Sequence, residues 1–191
     1  MLTSLKYQIE SIDVSHVAKT RQKIAEVDQL IKEIIKEVRK VTFNLKPTVL
    51  GDYGLQAGLN LFIHEIGKLT GINLQYRTSG SIPRLSQKIE NNIFRIIQEA
   101  INNAIKYSGA ARITVSLKQT ENELILTVHD NGKGFDTKVA EARSSNLESG
   151  RGFFNMYERT EYISGNLEIH SKPGEGTTIR LSVPTYSTVA T

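Results

Sequence analysis

Glu99 and Asn103 are the residues best suited to chemistry, because they lie four positions apart in a segment with helical periodicity. At that spacing both project from one face of an α-helix, and Lys106 and Tyr107 extend this face by another turn. A carboxylate, an amide oxygen and an ammonium group can together order a hydrated Mg²⁺ ion and its phosphates, since hard oxygen ligands suit this ion. A solvated helix face would also explain the pattern. However, consecutive asparagines at 102 and 103 are poor helix formers, which favours a functional role.

The second feature is Asp130, which ends a predicted strand and is followed at once by Asn-Gly-Lys-Gly. A carboxylate in this position can accept a hydrogen bond from an exocyclic amine such as that of adenine. Gly132 and Gly134 remove side chains where a ligand would approach the backbone. A simple strand-ending turn is the alternative. A calcium loop over 130–141 is excluded, because its third and fifth positions are glycines and its sixth is Phe135, where a glycine is needed.

A third feature is Gly150-Arg151-Gly152, which opens a predicted helix. A helix N-terminus attracts phosphate, so these glycines could let a nucleotide reach backbone N–H groups. Residues 136–149, just before it, are polar and without regular periodicity. They are either a lid over the site or an ordinary surface loop. Thr177 follows the turn glycines of the last hairpin and could face the same ligand.

Composition narrows the class of protein. The 191 residues carry a net charge of +4 without a run of five like charges, which argues against a nucleic-acid-binding arm. The absence of cysteine excludes a disulfide scaffold and thiolate metal sites. No P-loop motif occurs, and the four histidines are scattered singly, so neither a zinc cluster nor a Ser-His-Asp arrangement is indicated. No apolar stretch approaches the roughly 20 residues that span a bilayer. We therefore expect a soluble intracellular chain.

Apolar side chains in residues 20–46 recur at alternating intervals of three and four, a heptad seam typical of a helix wound against other helices. They are Ile24, Val27, Ile31, Ile34, Val38, Val41 and Leu45. A shorter seam at Leu2, Leu5, Ile9 and Ile12 precedes it, so we predict an antiparallel helical hairpin. If the first helix is shorter than the second, part of the apolar seam of the second helix is exposed to water. We therefore expect the first helix to be truncated at residue 1, and a second copy to complete a dimeric four-helix bundle through residues 1–46. A lone amphipathic helix folded onto the rest of the chain is the alternative.

The rest of the chain mixes helical and strand patterns. Helices are expected at 55–69, 89–107 and 153–164, and strands at 72–77, 113–117, 124–128, 167–169 and 177–183. Helices on one side of a mixed sheet make a two-layer α/β sandwich of the α+β class. The predicted organisation is a helical hairpin at 1–47, a linker at 48–54, a nucleotide-binding domain at 55–186 and a tail at 187–191.

In this order the motifs resemble those of bacterial sensor histidine kinases, most closely the subfamily that signals to response regulators with helix-turn-helix output domains. Glu99-Ala100-x-x-Asn103-Ala104-x-Lys106 resembles the N box, and Asp130-Asn131-Gly132-Lys133-Gly134-Phe135 the first glycine box. Gly150-Arg151-Gly152-x-x-Asn155-Met156 resembles the second glycine box, and Ser171-Lys172-Pro173-Gly174-Glu175-Gly176-Thr177 the closing hairpin. Residues 1–46 resemble the dimerisation and phosphotransfer hairpin, so the resemblance covers nearly the whole chain.

The resemblance implies the ATP-binding (Bergerat-type) sandwich fold shared with gyrase, mismatch-repair ATPases and a heat-shock chaperone. It implies that Asn103 coordinates Mg²⁺, that Asp130 receives the adenine amine and that Lys106 lies near phosphate. Glu99 becomes the candidate base toward the phosphate-accepting histidine. The other nucleotide-binding positions that the motifs predict are Tyr107, Gly132, Gly134, Gly150, Arg151, Gly152, Phe153 and Thr177.

The sequence departs from the family pattern at several positions. Tyr107 stands where this subfamily usually has histidine, Arg151 replaces a common histidine, and Phe153 a common leucine. These changes could alter phosphate contacts or docking of the lid. The His-Asp or His-Glu pair expected on the first hairpin helix is absent, since His16 precedes a valine and lies near the hairpin turn. We therefore expect the acceptor upstream of Met1, and a fragment that binds ATP but lacks its own phosphorylation site.

The resemblance thus implies the cytoplasmic catalytic core of a histidine kinase, as part of a longer sensor that other segments could anchor to a membrane. With ATP and Mg²⁺ it would transfer the γ-phosphoryl group to a histidine, which then passes it to the receiver domain of a response regulator. An ATP-gated interaction module without phosphotransfer is the alternative. An anti-sigma serine kinase with the same ATP fold fits poorly, because those relatives lack a long heptad hairpin.

Overall fold

The computed structural model describes residues 2–10, 17–44, 48–137 and 151–185. The chain divides into two compact units, Met1–Leu45 and Lys46–Thr191. Among the described helices, none combines the length and apolar character needed to cross a membrane.

The first unit consists of helices α1 (Leu2–Glu10) and α2 (Val17–Asn44), which pack against each other. The predicted link between them falls within 11–16, outside the described residues. Within the single chain the seam is not fully covered, since Ile24 is 54% exposed and Ile31 38%. The seam positions at 38, 41 and 45 lie outside the described side chains.

The second unit alternates helices and strands. Its helices are α3 (Thr48–Thr70), α4 (Gln87–Asn103), which continues into one π turn (Ala104–Ser108), and α5 (Arg151–Tyr162). Its strands are β1 (Asn73–Ser79), β2 (Arg112–Gln119), β3 (Glu123–Asp130), β4 (Asn166–Lys172) and β5 (Gly176–Pro184). The predicted elements are thus present, with ends displaced by a few residues.

The five strands form one mixed sheet in the order β1-β2-β3-β5-β4. β1 pairs with β2 in parallel, and the other three pairs are antiparallel. The register of β3 and β5 sets Asp130 opposite Thr177. This arrangement confirms the predicted two-layer α+β sandwich with a mixed sheet.

The core lies between one face of the sheet and the apolar faces of the helices. Alternating residues of β2, β3 and β5 are buried on this face, as period-two strands require. Phe94 of α4 meets Phe62 of α3 edge to face, with ring centroids 5.2 Å apart. Because α4 is anchored along its apolar face, its opposite face and its C-terminal end are held in place for binding.

Residues 48–54 differ from their prediction as a linker. Their turn residues predicted a loop, but the chain is helical from Thr48, and α3 is interrupted only at Gly54, where φ is 85° and ψ is −178°. Leu50 is buried and packs on Gly58, where an added β-carbon would lie 3.1 Å from Leu50 Cδ1. Burial of this leucine outweighs the local turn preference of Gly51 and Asp52. The last strand, expected at 177–183, extends by one residue at each end, from Gly176 to Pro184.

Candidate nucleotide-binding site

The C-terminal end of α4 forms one wall of the site. The helix starts at Ser86, whose Oγ accepts a hydrogen bond from the Ile89 N–H at 3.4 Å. Past Asn103 the backbone widens, and the Ala104 N–H is directed to the carbonyls of both Ala100 and Ile101. A single π turn follows, a feature that is rare in helices and frequent at functional sites.

The π turn changes where the last residues of this wall project. A π turn takes more residues than an α turn, so Lys106 and Tyr107 lie at a different phase from the continuous α-helix that the sequence predicted. Both side chains are exposed. Gly109, in the left-handed conformation with φ 65°, ends the helix.

The first glycine stretch packs directly on the end of this wall. The Lys133 N–H donates to the Ser108 carbonyl at 2.9 Å. A β-carbon added at Gly132 would lie 2.5 Å from both Ser108 Cβ and Ser108 O. Glycine is required at 132 because Ser108 already occupies the space that a side chain would take.

The same stretch is held from the other side by the β4–β5 hairpin. The Gly174 N–H donates to the Lys133 carbonyl at 2.7 Å, and the Phe135 N–H to Ser171 Oγ at 2.9 Å. Gly134, with φ 58°, lies so close to the Lys172 carbonyl that no side chain would fit. The loop is therefore fixed between the helix end and the hairpin.

Asp130 is buried at the end of β3, with 5% of its surface exposed. Its Oδ1 accepts a hydrogen bond from the Gly132 N–H at 2.9 Å, which orients the carboxylate. Opposite it, Thr177 is also buried, and its Oγ1 lies 3.0 Å from Ser171 Oγ. A buried carboxylate with a fixed orientation is suited to recognising one donor on a ligand.

The first turn of α5 lies against Glu99 and Asn103. A β-carbon added at Gly152 would contact Glu99 Oε1 and lie 3.2 Å from Asn103 Nδ2. The structure therefore brings together three predicted site residues from two different helices. The absence of a side chain at Gly152 lets the first turn of α5 pack closely against the carboxylate and amide of α4.

Further along, α4 and α5 run antiparallel in a regular register. Asn92 Oδ1 accepts a hydrogen bond from Arg159 Nη1 at 3.1 Å. One turn further, Lys88 Nζ lies 3.7 Å from the centre of the Tyr162 ring. These contacts lie on the same helix–helix seam as Glu99 and Gly152, and they hold α5 along its length.

An aromatic contact joins the two glycine stretches. The rings of Phe135 and Phe153 have centroids 5.7 Å apart and an interplanar angle of 40°. Phe135 ends the first stretch and Phe153 is the third residue of α5. The beginning and the end of the predicted lid region are therefore brought together, although residues 138–150 lie outside the described part.

The predicted site residues thus fall into three sets. The structure gathers Glu99, Asn103 and Gly152 at the α4–α5 seam, and Asp130, Gly132, Gly134 and Thr177 at the end of β3, with Phe153 contacting the loop between them. Lys106 and Tyr107 lie on the exposed π turn. Gly150 is outside the described residues, and of Arg151 only the backbone, as the first residue of α5, is described.

Two residues that shape the site were not predicted. Ser108 supports the glycine loop through its carbonyl and its Cβ. Ser171 Oγ accepts from the Phe135 N–H and donates to the Gly176 carbonyl at 2.9 Å. The position of Ser108, directly before the helix-ending Gly109, is a weak sequence signal for its role. Ser171 begins the closing-hairpin motif, but its hydrogen bond with Phe135 depends on how the hairpin packs, which the motif does not show.

The side chains present suit one particular kind of metal site. Within the described ranges, no group of three or more histidine, cysteine, aspartate and glutamate side chains could enclose an ion. A magnesium ion bound mainly through phosphates and water needs only one or two protein oxygens. The amide of Asn103, beside the N-terminus of α5, fits that requirement.

Comparison with known proteins identifies the family of the sequence that forms this site. Residues 88–187 match the model described as histidine kinase-, DNA gyrase B-, and HSP90-like ATPase. The chain belongs to this family. The match begins at the second residue of α4 and covers the gathered site residues.

Two curated relatives of this chain are histidine kinases. It is 32% identical over 183 residues to the oxygen sensor histidine kinase NreB of Staphylococcus carnosus (strain TM300), covering 96% of this chain and 50% of the relative. It is 30% identical over 163 residues to the signal transduction histidine-protein kinase/phosphatase DegS of Brevibacillus brevis, covering 85% of this chain and 41% of the relative. The chain thus spans half or less of the length of these relatives.

Solved structures show the same fold. The histidine kinase domain of the blue-light activated histidine kinase from Erythrobacter litoralis superposes with a TM-score of 0.54 at 18% sequence identity. The alignment covers 68% of this chain and 60% of that domain. The second unit of the chain therefore has the fold of a histidine kinase catalytic domain, as the motifs predicted.

Proposed function

We propose that this chain binds MgATP and supplies the catalytic unit of a sensor histidine kinase in the cytoplasm. The observation that carries the proposal is the contact of Gly152 with Glu99 and Asn103. It brings a helix N-terminus, which favours phosphate, to a carboxylate and an amide oxygen donor. The curated relatives, both histidine kinases, support the same activity.

In this proposal the adenine ring and the phosphates of ATP bind at opposite ends of the site. Asp130 accepts the adenine amine, and since Oδ1 already binds the Gly132 N–H, the amine meets Oδ2. Gly132 and Gly134 leave room for the nucleotide, and Thr177 and Phe153 line the adenine end. We assign to the phosphate end the predicted positions Gly150, Arg151, Gly152, Lys106 and Tyr107. Mg²⁺, held in part by Asn103, would offset the charge of the β- and γ-phosphates.

The transfer step follows from this placement. The bond between the γ-phosphorus and the β–γ bridging oxygen breaks, and a bond between phosphorus and an imidazole nitrogen of a histidine forms. Glu99 accepts the proton that the imidazole loses. ADP departs, and bound Mg²⁺ would offset the negative charge that develops on the oxygen of its β-phosphate. Such a step depends mainly on positioning and charge stabilisation, so few side chains are needed.

The acceptor and the partners are the further parts of the proposal. Helix α1 holds no His-Asp or His-Glu pair, so in this proposal the acceptor is a histidine that is not among the 191 residues. This piece alone would then not phosphorylate itself. The exposed seam residues Ile24 and Ile31 support dimerisation through residues 1–46. A response regulator receiver domain would take the phosphoryl group from the histidine.

The first test is calorimetric titration of the 191-residue chain with ATP, with and without Mg²⁺. Asp130→Asn keeps an oxygen for the Gly132 N–H but removes the charge, and we expect ATP affinity to fall at least about tenfold. Asp52→Asn, an exposed site on α3, is the matched control. The proposal is overturned if the unaltered chain does not bind MgATP, or if Asp130→Asn binds it equally well.

The second test addresses transfer itself. A longer form of the protein that includes the acceptor is incubated with MgATP, and acid-labile phosphate is measured. Glu99→Gln should slow its formation by about 100-fold or more while leaving ATP affinity within about threefold. Binding without any phosphate in the unaltered protein would instead favour an ATP-gated interaction module.

A further inference from the structure

Glu90 is a buried carboxylate that has no part in the proposed site. It lies in the first turns of α4, and only 1% of its surface is exposed. Its Oε1 accepts a hydrogen bond from the Leu85 N–H at 3.2 Å and lies 3.5 Å from Arg84 Nε. Because a buried charge is costly without a partner, Arg84 is needed at this place to compensate Glu90.

Arg84 reaches a second element with the other end of its guanidinium group. Its Nη2 donates a hydrogen bond to the Gly51 carbonyl at 3.0 Å. A β-carbon added at Gly54 would lie 2.7 Å from Arg84 Nη1 and 3.0 Å from Arg84 Cδ. The side chain therefore lies across the interruption in α3, with Glu90 on one side and the first turns of α3 on the other.

The part of α3 before the interruption, here called the lead segment (48–53), is a separate short piece of helix. It is anchored by Leu50, which is buried on Gly58. Gly54, which follows it, has a combination of φ 85° and ψ −178° that is open essentially only to glycine. The direction of the lead segment thus depends on one flexible residue and on the contacts that restrain it.

We propose that Arg84 and Glu90 form a clamp that holds the lead segment to α4, and that Gly54 is the hinge about which the segment turns when the clamp opens. In sequence, this segment lies between residues 1–45 and the rest of the nucleotide-binding unit. The clamp fixes it to the helix that carries Glu99 and Asn103, which lie about 14 Å and about 20 Å beyond Glu90 along the helix axis at ~1.5 Å per residue. Arg84 is a positioning residue, since it touches no part of the proposed site.

The geometry explains why an arginine is suited to this position. A guanidinium group donates from several nitrogens in a fixed fork, so it can pair with the carboxylate and the Gly51 carbonyl at once. A lysine keeps the charge but presents a single point donor. Glutamine at 90 keeps an acceptor for the Leu85 N–H but removes the charge that holds Arg84.

The test is amide hydrogen exchange of the 191-residue chain, followed by mass spectrometry. In Arg84→Ala and Glu90→Gln we expect exchange at amides 50–55 to speed up about fivefold or more, with amides 93–101 unchanged. Arg84→Lys should restore protection only in part. Arg77→Ala removes an exposed arginine that bonds to Gln75, and it should leave amides 50–55 as in the unaltered chain.

Local opening must be separated from general destabilisation. Global unfolding by urea is therefore measured on every variant. Gly54→Ala tests the clamp in a second way, because it perturbs the hinge and displaces Arg84 while leaving Glu90 unchanged. It too should speed exchange at amides 50–55. The clamp is refuted by unchanged exchange at 50–55, by an equal rise at 93–101, or by full protection in Arg84→Lys. These readouts need no nucleotide, so they stand apart from the test of ATP binding.

Discussion

The Phe135 ring lies 5.7 Å from the Phe153 ring, centroid to centroid, and this contact joins the end of the first glycine stretch to the first turn of α5. The segment between them in sequence is the predicted lid. A contact at its two ends restrains where α5 begins, and thereby the position of Gly152. The site therefore depends on an aromatic pair as well as on its polar groups.

Phe153→Ala should weaken binding of MgATP by about three- to tenfold. An aromatic pair contributes about 0.5–1.5 kcal/mol beyond its area burial, and without it the start of α5 is less restrained. Calorimetric titration measures the change. Phe154→Ala is the matched control, because Phe154 is the next residue in sequence and its ring is 58% exposed. Equal affinities for the two variants would show that the pair does not order the site.

Gly152→Ala should reduce nucleotide affinity by at least about tenfold. The added methyl group meets the Glu99 carboxylate and the Asn103 amide, so either these side chains or α5 must move. Binding and thermal unfolding are measured together. Gly67→Ala, in α3 with its nearest neighbour at 3.7 Å, should bind normally and unfold at the same or a higher temperature. Normal binding by Gly152→Ala would argue against phosphates at this seam.

Tyr162→Ala should lower the free energy of unfolding by about 0.5–1 kcal/mol, because it removes the ring under the Lys88 ammonium group. Tyr162→Phe keeps the ring face and should change stability by only a few tenths of a kcal/mol. Urea denaturation of these variants, of Lys88→Ala and of the double variant forms a mutant cycle. A coupling energy of zero would mean that the contact adds nothing.

Stability should decrease with rising pH from about pH 10 because of Tyr76. Burial raises the pKa of this phenol above its ordinary value of 10.0, and its hydroxyl donates to the Gln56 carbonyl at 3.5 Å. The unfolded chain therefore loses this proton at a lower pH than the folded chain, so the stabilisation is complete below about pH 10 and is lost above it. Urea titrations at about pH 9 and about pH 11 measure the slope, which is the change in the free energy of unfolding per pH unit. It should be smaller in Tyr76→Phe and unaltered in Tyr53→Phe, whose ring is exposed; equal slopes in all three proteins would contradict the assignment.

Much of the fold was predictable because its signals are local. Ile93, Ile97, Ala100 and Ala104 recur with the helical period, and the alternation in β2 and β3 marks two half-buried strands. The order of the Glu99–Asn103 pair and the two glycine stretches indicated the family, which the comparisons confirm. The lead segment shows the limit. Its glycines predicted a loop, but the buried Leu50 makes it helical.

The sequence by itself determined most of the helices and strands and the family to which the chain belongs, since these follow from periodicity and from short motifs. Only the tertiary structure decided that Gly152 meets Glu99, that Ser108 supports the glycine loop, and that Arg84 links Glu90 to Gly51. Each of these contacts joins residues that are distant in sequence. Their positions depend on how helices and strands pack together, which no local pattern of residue types encodes.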